Sequence, residues 1–257
     1  MQIENENGTL TKFLEKVKDQ SARSADFLAS TSNLQKRTSD DGLPQIVIEA
    51  QGGEPTRVLN INGHAQGQIA ASAEIDTRTA RRLQEKYPVE YDALIQARWD
   101  REPVNRMVRT FLDRDETVGM ARAFVSDKFK TFDNIDLCNA VLPQLAESDA
   151  QYQIVNATVT DQRLYMRLKS LIQTGEAAVG DHMANGIGFG NSEVGAGSVN
   201  VYQVFWTLAC LNGMQTENKT RSSHITSARD SADFGLLTNE AKDADNKALE
   251  LKLRDLA

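Results

Sequence analysis

Apolar and polar residues alternate strictly in several stretches of this chain, and each such stretch predicts a strand. Along Arg163-Leu-Tyr-Met-Arg-Leu-Lys-Ser170, residues Leu164, Met166 and Leu168 fall on one side. Arg163, Tyr165, Arg167 and Lys169 fall on the other. Tyr152–Thr160 precedes this run, and Asp161-Gln162 makes the turn of a hairpin. Val104–Leu112 and Thr117–Val125 form another hairpin about the polar tip Asp113-Arg-Asp-Glu116. Pro44–Ala50 and Arg57–Ile61 are β-branched runs separated by Gly52, Gly53 and Pro55. The glycine-rich stretch from Gly186 runs into Ser198-Val-Asn-Val-Tyr-Gln-Val-Phe205 and predicts a third long hairpin, turning near Glu193–Gly197.

Helical spacing takes over elsewhere. Leu10, Phe13, Leu14 and Val17, followed by Phe27 and Leu28, suit an amphipathic N-terminal helix with Lys12, Lys16 and Lys18 on its other face. A partly ordered tail fits the same residues. Thr77–Tyr87, with Asp76 or Thr77 as cap, and Pro88–Arg101, with proline at its first position, predict two helices. Ile135, Leu137, Cys138, Val141, Leu142 and Leu145 stripe a helix that begins at Asp133 or Asn134. Thr174–Met183 reads as loop or short helix, residues from Thr216 as polar, and Asn239–Ala257 as a charged helix. The expected fold is α+β: antiparallel hairpins forming a meander-like sheet backed by helices, with helical extensions at both ends. The expected division is an extension over 1–43, a core domain over 44–215, and a linker and tail helix over 216–257.

Composition adds limits. At 257 residues, 40% hydrophobic and 25% charged, the chain can bury a sizeable core without disulfides. Cys138 and Cys210 sit in apolar runs and read as buried thiols in a reducing, cytoplasmic setting. No apolar run reaches the length of a membrane span, and the polar N-terminus is unlike a signal peptide. The formal net charge of -7 argues against coating nucleic acid by bulk charge and directs attention to local basic surfaces.

The residues offer three kinds of chemistry. Gly186-Ile-Gly-Phe-Gly190 resembles a phosphate loop, but such a loop must open a helix, and here a β-type segment follows. The glycines read instead as a bulged or tightly packed hairpin. His64, His182 and His224 do not pair at metal-ligand spacing, so no metal or cofactor is expected. Asp127, Asp133, Asp136 and Asp181 leave a magnesium-dependent nuclease as a minor alternative. The basic strand faces remain: Arg106, Arg109, Arg122 and Lys128 around the first of these hairpins, and Arg163, Arg167 and Lys169 with Tyr165 on the second. Cations on a rigid sheet can follow a phosphate backbone while a ring stacks a base. The same pattern also describes an ordinary solvated sheet face.

Several motifs resemble the phage- and plasmid-borne family called domain of unknown function 932. They are Arg122-Ala-Phe-Val-Ser-Asp-Lys-Phe129, Phe132-Asp-Asn-Ile-Asp136, Val179-Gly-Asp181, Gly186-Ile-Gly188 with Asn191-Ser-Glu-Val-Gly195, and Leu208-Ala-Cys-Leu-Asn-Gly-Met214. The resemblance implies a mobile-element protein acting inside a bacterium. A looser likeness, of architecture alone, is to single-strand annealing proteins of the RecT and Red-beta type. Together these suggest a non-enzymatic recombination protein that binds single-stranded nucleic acid, DNA ahead of RNA. It would promote annealing as a homo-oligomer, ring or filament, with terminal helices at the subunit contacts. The rival reading is an interaction or structural protein of a mobile element, for example in counter-defence.

Overall fold

A computed structural model describes residues 3–4, 9–50, 53–148, 150–176, 182–207, 215–222 and 247–254. The fold is α+β and holds two six-stranded sheets. Contacts divide the chain into two compact units, residues 22–129 and the remainder, 1–21 with 130–257. The stretch 44–215 contributes residues to both units.

The unit over 22–129 is built on strands β2 (Ser24–Ser30), β3 (Leu34–Thr38), β4 (Pro44–Ile48), β5 (Arg57–Ile61), β6 (Asn105–Leu112) and β7 (Val118–Ser126). Their order in the sheet is β2-β6-β7-β5-β4-β3. All neighbours are antiparallel except β5 and β7, which run parallel. Helices α2 (Gly63–Ser72), α3 (Thr77–Lys86) and α4 (Pro88–Arg101) supply Ala65, Ile69, Ala80, Tyr91, Ile95 and Trp99 to the core against Leu34, Ile46, Leu59, Val108 and Phe124. Capping explains where they start. The Asn62 side chain accepts from Ala65 N–H at 2.8 Å, and Asp76 accepts from Arg78 and Thr79 N–H at 3.1 and 2.9 Å. Phe27 and Leu28, expected on a helix, lie in β2, paired with Val108 and Met107 of β6. The helical period ends at Arg23, and sheet pairing captures the residues beyond it.

The other unit carries β1 (Ile3–Glu4), β8 (Tyr152–Val159), β9 (Leu164–Glu176), β10 (His182–Asn191), β11 (Val199–Thr207) and β12 (Gln215–Ser222), in that order across the sheet. From β8 to β12 it is the expected antiparallel meander; β1 adds parallel to β8. Thr174–Glu176 and His182–Met183 belong to β9 and β10 rather than to a loop or helix. Helices α1 (Thr9–Arg23) and α5 (Asn134–Glu147), with the helix over 247–254, pack on one face. Leu10, Phe13 and Val17 of α1 are buried there, each side chain contributing about 1.5–3 kcal/mol of transfer free energy. Asp181, Cys210, His224 and the motifs Val179–Asp181 and Leu208–Met214 lie outside the described residues.

Candidate nucleic-acid interface

Strand β9 divides its side chains as its alternation requires. Leu164, Met166 and Leu168 are buried in the core beneath α1 and α5. Tyr165, Arg167 and Lys169 are half-buried on the opposite face, and Arg163 is exposed at its entry. The register sets their neighbours. On β8, Thr158 pairs with Tyr165, Asn156 with Arg167 and Gln153 with Lys169. Across on β10, Gly190, Gly188 and Gly186 occupy the matching positions. A row of uncharged polar residues, a row of cations with one ring, and a row of glycines therefore lie side by side. Neither β8 nor β9 carries a carboxylate between residues 152 and 171.

The glycines are a bed for the next strand. A Cβ on Gly188 would sit 2.4 Å from Tyr202 Cζ, and one on Gly186 would sit 2.1 Å from the Leu168 carbonyl oxygen and 2.5 Å from Trp206 Cζ3. Only glycine lets these rings lie flat across the strand. The register slips between Ala184 and Gly186, the bulge that the glycine content foretold. Tyr202, Val204 and Trp206 are buried with Ala184, and Tyr165 packs beside them. The Arg167 guanidinium stacks over the Tyr165 ring at 5.0 Å, and its Nε donates to Tyr202 Oη at 3.4 Å. Two rings thus fix the direction of one cation. Arg163 Nη2 donates to the Ala196 carbonyl at 2.7 Å, tying the β8–β9 turn to the β10–β11 turn. Among the described residues, the Lys169 ammonium has no hydrogen-bond or ion-pair partner.

The remaining expected cations lie on the other unit, and two of them are committed inside it. Arg109 is 1% exposed, and its Nε pairs with Asp26 Oδ1 at 2.9 Å, directly across the β2–β6 register. Arg122 is also 1% exposed; it lies over the Phe111 ring at 4.1 Å and donates from Nη2 to Ser24 Oγ at 2.8 Å. Such a buried, stacked guanidinium serves the fold, and neither residue presents a cation to solvent. Arg106 is half-buried over Phe124 at 5.8 Å, and Lys128 is exposed. The eight residues therefore fall into a grouped set, Arg163, Tyr165, Arg167 and Lys169, and a dispersed one.

Motifs that are distant in sequence meet elsewhere on the same unit. The Glu193 carboxylate accepts from Asn134 N–H at 2.6 Å, at the start of α5. Asn191 Nδ2 donates to the Phe132 carbonyl at 2.8 Å and to Asn134 Oδ1 at 3.1 Å. Ser192 Oγ donates to the Gln162 carbonyl at 2.8 Å and accepts from Ala196 N–H at 2.9 Å. Asn134, Asn191, Ser192 and Glu193 are all buried. Burial raises Asp136 above the usual carboxylate range, against the bond it accepts from Asp133 N–H. Burial first, and Glu193 second, push the Cys138 thiol up to about 12, so it is no nucleophile at neutral pH. Asn191-Ser-Glu193 is a brace between a hairpin turn and a helix N-terminus.

Among the described residues, no three of His, Cys, Asp and Glu gather as a metal site. Asp127 and Asp133, considered as nuclease carboxylates, fall on different units. No helix among the described residues is long and apolar enough to cross a membrane. No protein-family model, curated protein or solved structure matches the chain.

Proposed function

We propose that this protein binds single-stranded DNA along the β8–β9 face and promotes strand annealing without a chemical step. The observation that carries this reading is the β9 row: Arg163, Arg167 and Lys169 on one rigid face, with Arg167 stacked on Tyr165. Phosphates would follow the cations, and the exposed edge of Tyr165 would meet a base. Asn156, Thr158 and Gln153 supply neutral hydrogen-bonding groups beside the cations. Within this reading the protein acts in the cytoplasm of a bacterium, encoded by a phage or plasmid, as the resemblance to the domain of unknown function 932 family implies. Arg106 and Lys128 belong to the other unit and are no part of the β9 row; Arg109 and Arg122 are buried and do not take part.

Fluorescence anisotropy with short oligonucleotides across a salt series tests it. Three phosphate contacts predict a slope of log K against log salt of about -2, from roughly -0.7 per contact on single strands. Arg167→Glu with Lys169→Glu should remove most of that slope and of the affinity. Absence of binding at low salt, or a slope unchanged in the double variant, refutes the reading. If annealing or any host-directed activity survives that charge reversal, the face is only solvated and the interaction-protein reading takes its place.

A further inference from the structure

Every open sheet has two edges, and an edge strand offers unpaired N–H and C=O groups to any passing strand. Among the described residues, three of the four edges carry a defence. β1 covers only Tyr152 and Gln153 of β8 among the described residues, and the rest of β8 is interrupted by a bulge between Ile154 and Asn156. β12 places Glu217, Lys219 and Arg221 along its length. β3 carries Lys36 and Arg37, and α4 lies along it: Gln96 Oε1 accepts from Lys36 N–H and Gln96 Nε2 donates to the Leu34 carbonyl, both at 3.3 Å. Gln96 therefore takes the place of a neighbouring strand.

β2 has no such defence. It runs for seven residues, Ser24-Ala-Asp-Phe-Leu-Ala-Ser30, paired with β6 in unbroken register. It holds no proline, lysine or bulge. Its one charge, Asp26, is already paired to Arg109. Leu28 is 60% exposed on it. Among the described residues, no strand other than β6 pairs with it.

The sequence of β2 also reads nearly the same in both directions about Phe27. An antiparallel partner with a two-fold axis at Phe27 sets Ser24 opposite Ser30, Ala25 opposite Ala29, and Asp26 opposite Leu28. Like charges never face each other. The two Leu28 side chains become diagonal neighbours; so do the two Asp26 carboxylates, each already paired to Arg109 of its own chain. Ala25, Phe27 and Ala29 already pack toward the core of their own unit, so the apolar face would continue across the axis. A self-complementary strand of this kind is what an isologous two-fold contact requires. From these observations we infer that β2 is a homodimerisation edge, pairing antiparallel with β2 of a second copy about Phe27 and joining two six-stranded sheets into one. The inference stands apart from nucleic-acid binding, and its test uses none.

The test is the molar mass of the full chain by light scattering and sedimentation over a dilution series. The wild type is expected to reach twice the chain mass. Leu28→Asp places aspartate opposite Asp26 of the second copy at two symmetric positions, and should raise the dissociation constant by about tenfold or more. Leu28→Lys places lysine opposite Asp26 instead, and should leave the dimer intact or tighter. Both substitutions fall at an exposed position, and circular dichroism will verify that the fold is kept. A wild type that stays monomeric at every concentration overturns the inference. So does a dimer that Leu28→Asp leaves unchanged, or one that Leu28→Lys dissociates as readily as Leu28→Asp.

Discussion

Removing the Glu193 carboxylate should reveal how much the Asn191-Ser-Glu193 brace stabilises its unit. Its oxygen sits 2.6 Å from Asn134 N–H, one of the orphan donors at the start of α5, and Glu193 is buried. A hydrogen bond to a charged acceptor contributes about 1.5–3 kcal/mol net, and a negative charge at a helix N-terminus adds up to about 1 kcal/mol. Glu193→Ala removes both and leaves a buried N–H without its partner. The expected destabilisation is about 3 kcal/mol. Glu193→Gln keeps an acceptor of the same shape and loses mainly the charge, so about 1 kcal/mol is expected. Urea titration followed by far-UV circular dichroism measures both, and should resolve the transition of the unit that holds α5 and β10. At about 2–4 °C per kcal/mol, the alanine variant should melt roughly 6–12 °C lower. Alanine within about 0.5 kcal/mol of wild type would refute the brace. Equal losses for alanine and glutamine would show that the charge, and not the contact, carries the effect. Under the proposed function, the folded glutamine variant should keep the same affinity for single strands, because Glu193 is no part of the β9 face.

Two further predictions concern packing and buried charge. Gly186→Ala drives a methyl into the Leu168 carbonyl, which cannot move without breaking the β9–β10 ladder, whereas Gly188→Ala meets the Tyr202 ring, which can tilt. Denaturant titration should show the larger loss at Gly186, about 3 kcal/mol or more against roughly 1–2 kcal/mol at Gly188, and the reverse order would refute the bed described for Tyr202 and Trp206. Lys36 has a fully buried side chain, joined to Asp92 and to Gln84 Oε1 at 3.1 Å, and burial lowers its ammonium below 10.5 despite Asp92. The unfolded chain then holds that proton to higher pH than the native one, so stability should rise as pH climbs from the lowered value toward 10.5. Lys36→Met should cost about 3 kcal/mol at neutral pH by stranding Asp92. Relative to this variant, the wild type should gain stability on the alkaline side; the difference isolates Lys36 from Tyr91, which burial pushes up to about 12. A pH-independent difference refutes the assignment.

Where a side chain's environment follows from its own strand, the sequence pattern was legible. The alternation in β9 separates Leu164, Met166 and Leu168 from Arg163, Tyr165, Arg167 and Lys169, and the structure keeps that separation. It failed where burial comes from elsewhere in the fold. Arg109 and Arg122 sit on strands whose polar positions look solvent-facing, yet Asp26, Ser24 and Phe111 enclose them from β2 and β6. A signal did exist for Arg109: Asp26 is the one charged residue in Ser24-Ala-Asp-Phe-Leu-Ala-Ser30, beside Phe27 and Leu28. Helix α2 was invisible because Gly63-His-Ala-Gln-Gly-Gln-Ile-Ala-Ala-Ser72 has no apolar stripe; its small residues suit close packing instead. β12 is polar throughout and is held by its pairing with β11, so no periodicity announces it.

The order in which the chain leaves the ribosome has a consequence for assembly. Residues 22–129 form one unit, while the other is assembled from segments on both sides of them. Ile3 pairs with Tyr152 and Gln20 bonds to the Thr160 carbonyl, so the first twenty residues find their partners only after the intervening unit has been made. That unit can fold while synthesis continues; the flanking one waits for closure across a long loop. During that interval the apolar stripe of α1 has no core to enter. Early truncation or stalling past residue 129 would therefore release a chain with one finished unit and an adhesive leader, a natural substrate for chaperones and proteases.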